Sequence, residues 1–519
     1  MKLARTRFIT SILTVIIFAI AGCSLPTIGV TAIPTPIYTV PHGGACVTLG
    51  DNPRPPYLNV QTTHDTFLDH SEPEIAQNPN NPLNLVGGSK FFTDPAHYTF
   101  KIGSMTSFDG GCTWTDNGVL PGYANEPSVS DISFAFGTHN DVYASVLNTD
   151  NVNESGLSVS TSLDGGKTFG QPVSVYDDKT GKVFSDKPWI AVDTTNGPHR
   201  GTLYVVWSYD YNQPPCGDPG MPCTQELGFA SSTDGGRTFS APRLIEGNLP
   251  TCTNPIDGRD EHSTKCDAVL GATPTIMPDG TVAVAFAYVD LHATDEKSGA
   301  GSNGKDAPPK LPTQMLVITS HDGGVTWANP VHVATIHDIP NTFAPQHYRN
   351  FSLPAFASDP KTGQLYISWS DETNGNADIL LSSSTDGGQT WTAPIRVNDD
   401  PAADGANQFQ PQIAVAPNGV VSITFFDTRN DTTHRLIDVY LAQSINHGVT
   451  FKKNVRVTSQ SWDPTIKAPT DTNGLQFIGD YQGLAVDNRF VHAFWNDTRT
   501  GDQEIFTAAV PSAQPLGGK

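Results

Sequence analysis

One short turn recurs along this 519-residue chain and restricts its fold more than any other feature. "SSSTDGGQTWTAP" runs from Ser382 to Pro394, and close copies begin at Thr106 (TSFDGGCTWTD), Thr161 (TSLDGGKTFGQP), Ser231 (SSTDGGRTFSAP) and Thr319 (TSHDGGVTWANP). A worn copy, QSINHGVTFKK, begins at Gln443. A second pattern keeps step with the turns: a Pro or its stand-in, an apolar run, a turn, then an alternating stretch ending in an aromatic and an acid. Clear copies start at Lys187, Leu353, Gln410 and Asp480, and weaker ones at Glu72, Asp131 and Ala272. That makes seven units. Alternation bounded by Gly, Pro, Asn and Asp is a strand signal, and helical periodicity is nearly absent.

Each unit reads as four strands. In unit three the first strand includes Ile190 to Val192. In unit five the second runs from Leu365 to Trp369, the third from Ile379 to Ser383, and the fourth starts at Ala393. Four-stranded units repeating every few tens of residues describe an all-β, seven-bladed propeller of antiparallel blades, with six blades as the alternative. The seventh unit ends near Val510 without a fourth strand. "PPYLNVQ", from Pro55, resembles the fourth strands elsewhere and is expected to close the ring and remove its open edge.

The repeated S-x-D-x-G-x-T-W/F turn resembles the Asp box of the sialidase superfamily and other Asp-box propellers. Five copies fit, at Asp109, Asp164, Asp234, Asp322 and Asp386, whereas the sixth has Asn446. A short Asp accepts backbone N–H bonds inside its own turn, and glycine tolerates the positive φ of the reversal. The terminal aromatic is expected to wedge between blades. Nothing in the turn pairs a nucleophile with a base. The resemblance implies that the box joins the third and fourth strands, on the face away from any active site.

The opposite face then collects the chemistry. Ends of second strands bring Asp210, Asp290, Asp371, Asp427 and Asp497, with Arg429 and Arg499 in twin DTR motifs. Approaches to first strands bring Glu72, Glu126, Asp186, Lys187, Arg349, Gln410 and Asp480, beside Tyr348 and Tyr481. A sialidase, as the resemblance implies, holds a substrate carboxylate with three guanidiniums and uses a Glu-activated Tyr as nucleophile with an Asp as acid. On that pattern Arg349, Arg429 and Arg499 form the clamp, and Tyr481 or Tyr348 is the nucleophile. Asp186 or Asp480 is then the acid, and Glu504 or Glu72 the activator. The Arg-Ile-Pro motif of sialidases is absent, and the unit count is seven where such sialidases have six blades. A structural reading stands beside the catalytic one, in which Asp427 with Arg429, and Asp497 with Arg499, pair within their own loops.

The ends of the chain speak to its location. "MKLARTR" is basic and "FITSILTVIIFAIA" apolar, so residues 1–22 read as a signal peptide. Ile20-Ala21-Gly22-Cys23 resembles a bacterial lipobox, which implies lipidation of Cys23 and an extracytoplasmic, membrane-anchored protein; the alternative is an ordinary signal cleaved near Cys23. Residues 23–54 read as a Pro/Thr/Gly-rich tether, 55–511 as the propeller and 512–519 as a tail, with a polar loop at 295–310. Export permits disulfides: Cys216 with Cys223, Cys252 with Cys266, and Cys46 with Cys112, although other connectivities stay open. No metal or cofactor is expected. A formal charge of −22 argues against nucleic acid. The functions left are a monomeric surface module binding glycan or protein, an exo-sialidase or other glycoside hydrolase, and an envelope scaffold.

Overall fold

The computed structural model describes residues 56–149, 155–211, 224–252, 264–289, 312–343, 346–471 and 474–515. The lipobox cysteine Cys23, the tether, Cys46, Cys216, Cys223, Asp290 and the 295–310 loop lie outside these residues. The described strands form seven four-stranded antiparallel sheets. Blades one to six span residues 68–119, 128–178, 183–244, 269–335, 355–396 and 408–456. Blade seven combines Gly483–Val486, Phe490–Asp497 and Glu504–Pro511 with Val60–Gln61 from the start of the chain. That segment pairs Val60 with Thr507 and Gln61 with Phe506, so the ring is closed by its own N-terminal strand.

The first strand of every blade packs against the first strands of both neighbouring blades, and blade seven returns to blade one. Seven first strands therefore surround the axis, and apolar side chains fill the layers between blades. Neighbouring strands alternate in direction, so the turns between third and fourth strands emerge at one end of the ring. The connections into first strands emerge at the other.

The repeated turns hold themselves. In blade four the Ser320 hydroxyl donates to Asp322 Oδ1 (2.9 Å) and accepts from the Gly324 N–H (2.8 Å). Asp322 also accepts from the Thr326 N–H (2.8 Å) and hydroxyl (2.6 Å). The Thr326 hydroxyl and N–H bonds hold the Asp322 carboxyl down at about 2. In the worn copy Asn446 Oδ1 accepts from Ser444 and Thr450 in the same places. Gly324 has φ +83°, and a Cβ there would lie 2.4 Å from the Phe229 ring of blade three, so only glycine fits. The turn aromatics reach the preceding blade: Trp327 meets Phe229 at 5.2 Å and Trp114 meets Phe494 at 5.6 Å.

The other end of the inner strands departs from regularity. At one level of blades one, two, three, four and six the first strand carries an extra residue against its partner, between Ser71/Glu74, Ser130/Ser133, Asp186/Trp189, Leu270/Thr273 and Phe409/Gln412, and blade one has a second bulge at Asp69, between Leu68 and Ser71. At the shared level each bulge holds a left-handed residue: Glu72, Asp131, Lys187, Gly271 and Gln410. Four of these five are not glycine, a conformation that costs on the order of 1–2 kcal/mol each.

Candidate ligand site on the ring axis

The bulges aim long polar side chains at the axis, where they meet across it. Lys187 of blade three donates to Asp480, just before blade seven, at 2.7 Å and lies 3.8 Å from Asp131 of blade two. Arg349, on the approach to blade five, grips the same Asp480 with Nε at 3.0 Å and Nη2 at 2.6 Å, and reaches Asp471 at 3.5 Å. Lys90 of blade one pairs with Glu72 at 2.6 Å and sits 4.1 Å from the Phe477 ring centroid. All these charged groups are buried or nearly so. Burial works against the charge on Asp480, but Arg349 and Lys187 outweigh it and hold the carboxyl well below its usual range.

Beside this cluster lies a cavity of about 30 Å³ walled by Trp189, Tyr481, Phe351, Thr273, Gln410 and Gln412, among others. Trp189 and Tyr481 meet edge to face at 5.4 Å. Such a volume holds about one water. Small-molecule sites run from roughly 300 Å³ upward.

The residues singled out from sequence separate into two groups. Arg349, Asp480, Tyr481, Lys187 and Glu72 come together at the axis, and the charge of Asp186 acts on Lys187 there. Arg429 and Arg499 do not join them. Arg429 donates to Asp427, two residues upstream, and to Asp399 of the neighbouring blade connection. Arg499 donates to Asp497 at 2.9 and 2.5 Å and to Asn59 beside the closing strand. Arg349 shares no partner with either. The cations that do assemble near Arg349 are Lys187 and Lys90.

Burial, then the charges of Glu72 and Asp131, push the Tyr481 phenol well above its usual range. A nucleophilic Tyr needs the opposite. Asp480, held ionised, is suited to electrostatic work and not to giving up a proton. Glu504 bonds the Thr63 hydroxyl at 2.5 Å and faces Asp497 across the strand pair, while Tyr348 is fully buried against Phe343 and Phe409. Sequence reasoning passed over Lys90, Trp189, Phe351 and Phe477. Lys90 left one signal, a lone cation among the Gly, Ser and Phe of a buried strand (LVGGSKFF).

Cys252 and Cys266 form a disulfide with Cα atoms 5.0 Å apart, and Cys112 is disulfide-bonded as well. Among the described residues no group of His, Cys, Asp and Glu is arranged to hold a metal ion.

No protein-family model and no curated protein matches this sequence. Similar solved structures include a Dyadobacter fermentans protein of unknown function, 13% identical over 88% of this chain and 98% of that one, with a TM-score of 0.45. A Hadza microbial sialidase is 16% identical over 82% and 76% of the two chains, with a TM-score of 0.45. The GH93 α-L-arabinofuranosidase of Fusarium graminearum is 14% identical over 87% and 97%, with a TM-score of 0.44. The site has to be read from its own residues.

Proposed function

We propose that this protein is a sialidase-like propeller of the cell envelope that recognises carbohydrate at the axis of its loop face, with Cys23 carrying the lipid that anchors it. One observation carries the reading. Each cation that a sialidase-type clamp requires is already closed on a carboxylate of the same chain, so none is offered to an acidic sugar. Apart from Lys187 and Asp480, which are paired with each other, the wall of the axial cavity is uncharged: the rings of Trp189, Tyr481 and Phe351, the amides of Gln410 and Gln412, and the Thr273 hydroxyl. Aromatic faces with convergent amides and hydroxyls suit the C–H faces and hydroxyls of a neutral sugar. Gln410 and Gln482 also keep buried side-chain oxygens with no protein partner.

A screen of neutral and sialylated oligosaccharides against the wild type and Trp189→Ala tests this. Binding of a neutral glycan, lost in the variant, supports it. Glycan binding that survives Trp189→Ala rejects the axial site. No glycan binding at all rejects carbohydrate and leaves a protein ligand. Mass spectrometry of the mature N-terminus, beside Cys23→Ser, tests the anchor: an unlipidated wild-type Cys23 rejects it.

A second reading, an exo-sialidase or other glycoside hydrolase, is favoured by the company of Tyr481. Glu72, Glu74 and Asp480 all act on its phenol, and burial pushes Glu74 well above the usual carboxylate range. Glu74 held protonated and Asp480 held ionised are then the candidate acid and base. Turnover of a fluorogenic glycoside, lost in Tyr481→Phe, would establish it.

A further inference from the structure

We propose that the two segments leading into blades five and seven form a strap across the axial pocket, latched by Arg349 on Asp480, and that a ligand enters only when this latch opens. The proposal rests on the axial pocket being the ligand site and adds the control of access to it.

The strap is built from residues 346–354 and 474–482. They join by backbone: the Arg349 N–H donates to the Gln476 carbonyl at 2.9 Å, and the Gln476 N–H donates to the His347 carbonyl at 3.1 Å. Side chains then carry the connection over the axis. The Arg349 guanidinium stacks on Phe477 at 4.6 Å, and the same ring takes the Lys90 ammonium of blade one on its face and lies 6.3 Å from Tyr98. Arg349 lies on the approach to blade five, Phe477 on the approach to blade seven and Lys90 in blade one, so these contacts join segments that are far apart in the chain. Phe351, Leu353 and Pro354 from one segment, and Asp480 and Tyr481 from the other, wall the cavity of about 30 Å³. Parting the segments enlarges that cavity.

The closed strap is held differently from the blades. Two backbone bonds, the Arg349–Asp480 ion pair and the stack of Arg349 on Phe477 join its halves, where a blade has continuous ladders. It also buries polar groups that have no protein partner: both amide atoms of Gln346, Asn350 Oδ1 and Gln476 Oε1. Opening gives those groups to water. A unit with few backbone bonds and unsatisfied polar atoms opens below the free energy of global unfolding.

Hydrogen exchange on the full chain tests this without any ligand. In the wild type, the Arg349 and Gln476 amides exchange at least about ten-fold faster than the ladder amides of Val284 and Ile423. In Arg349→Gln the strap amides speed up by about a further ten-fold while Val284 and Ile423 stay unchanged. A Thr273→Cys thiol in the pocket, labelled by a small methanethiosulfonate, reports the same opening and reacts faster when combined with Arg349→Gln. Strap amides exchanging at the ladder rate in the wild type overturn the strap, whether or not the variant folds. Unchanged strap exchange in a folded Arg349→Gln overturns the latch. Failure of glycan binding leaves these rates untouched, so the two ideas fail separately.

Discussion

The two faces of this ring are built by opposite rules. On the turn face each of six loops is satisfied within eight residues, by Ser, Asp, Gly and Thr at fixed spacing, and the whole is repeated almost unchanged. On the loop face no two blades present the same residue: Glu72, Asp131, Lys187, Gly271 and Gln410 occupy one bulge position in five blades. Glu72 pairs with Lys90 of its own blade, whereas Lys187 reaches Asp480, 293 residues away on the approach to blade seven. Repetition marks the scaffold. It breaks down at one level of the first strands, where the proposed ligand site lies.

The largest effect expected from breaking this division is at the closure both faces depend on. Deleting residues 56–62 strips the outer strand from blade seven and exposes its edge, lowering the melting temperature by on the order of 5 °C. Deleting 24–45 leaves it unchanged, and equal losses would reject the closure. Next comes the axis. Asp480→Asn leaves Lys187 and Arg349 buried without their shared counter-charge and costs about 3–5 kcal/mol in urea unfolding. A loss near zero would mean the cluster is not closed as described.

A titration locates the seam between blades seven and one. Burial pushes the His492 imidazole, which lies against Gly111 of the first turn, down to about 4. The folded state keeps it neutral while the unfolded chain takes up a proton near pH 6.5. Stability is therefore fully present above pH 6.5 and is lost as pH falls towards 4, by about 3 kcal/mol. His492→Gln removes that dependence; an unaltered pH profile in the variant would place the titration elsewhere.

The legibility of the sequence follows the same line. The strands, the seven blades, the closing strand and the structural character of the turns could be read because each is specified locally, by alternation or by residues within one turn. Of the candidate residues, Arg349, Asp480, Tyr481 and Lys187 come together at the axis, and the sequence singles them out because they sit at the entrance to first strands. Arg429 and Arg499 drew equal notice from their DTR motifs, yet an Asp two residues upstream claims each guanidinium. Nothing local told those arginines from Arg349, whose partners come from the approach to another blade. Lys90 and Phe477 reach the axis only through contacts between distant blades, which no spacing announces.

The smallest expected effect sharpens the contrast from the turn side. Asp386→Asn leaves the melting temperature unchanged, because Asn446 already performs the same role in blade six, whereas Asp386→Ala lowers it. A loss in Asn as large as in Ala would show that the carboxylate charge, and not its oxygen geometry, holds the turn.

Tryptophan labels read the two faces in one spectrum. With 5-fluorotryptophan in all eight positions, titration with a neutral oligosaccharide that binds is predicted to shift the Trp189 resonance at the axis. The resonances of Trp114, Trp327 and Trp391 on the turn face should stay still. Shifts confined to the turn-face tryptophans, or binding with Trp189 unmoved, would contradict a ligand site on the axis.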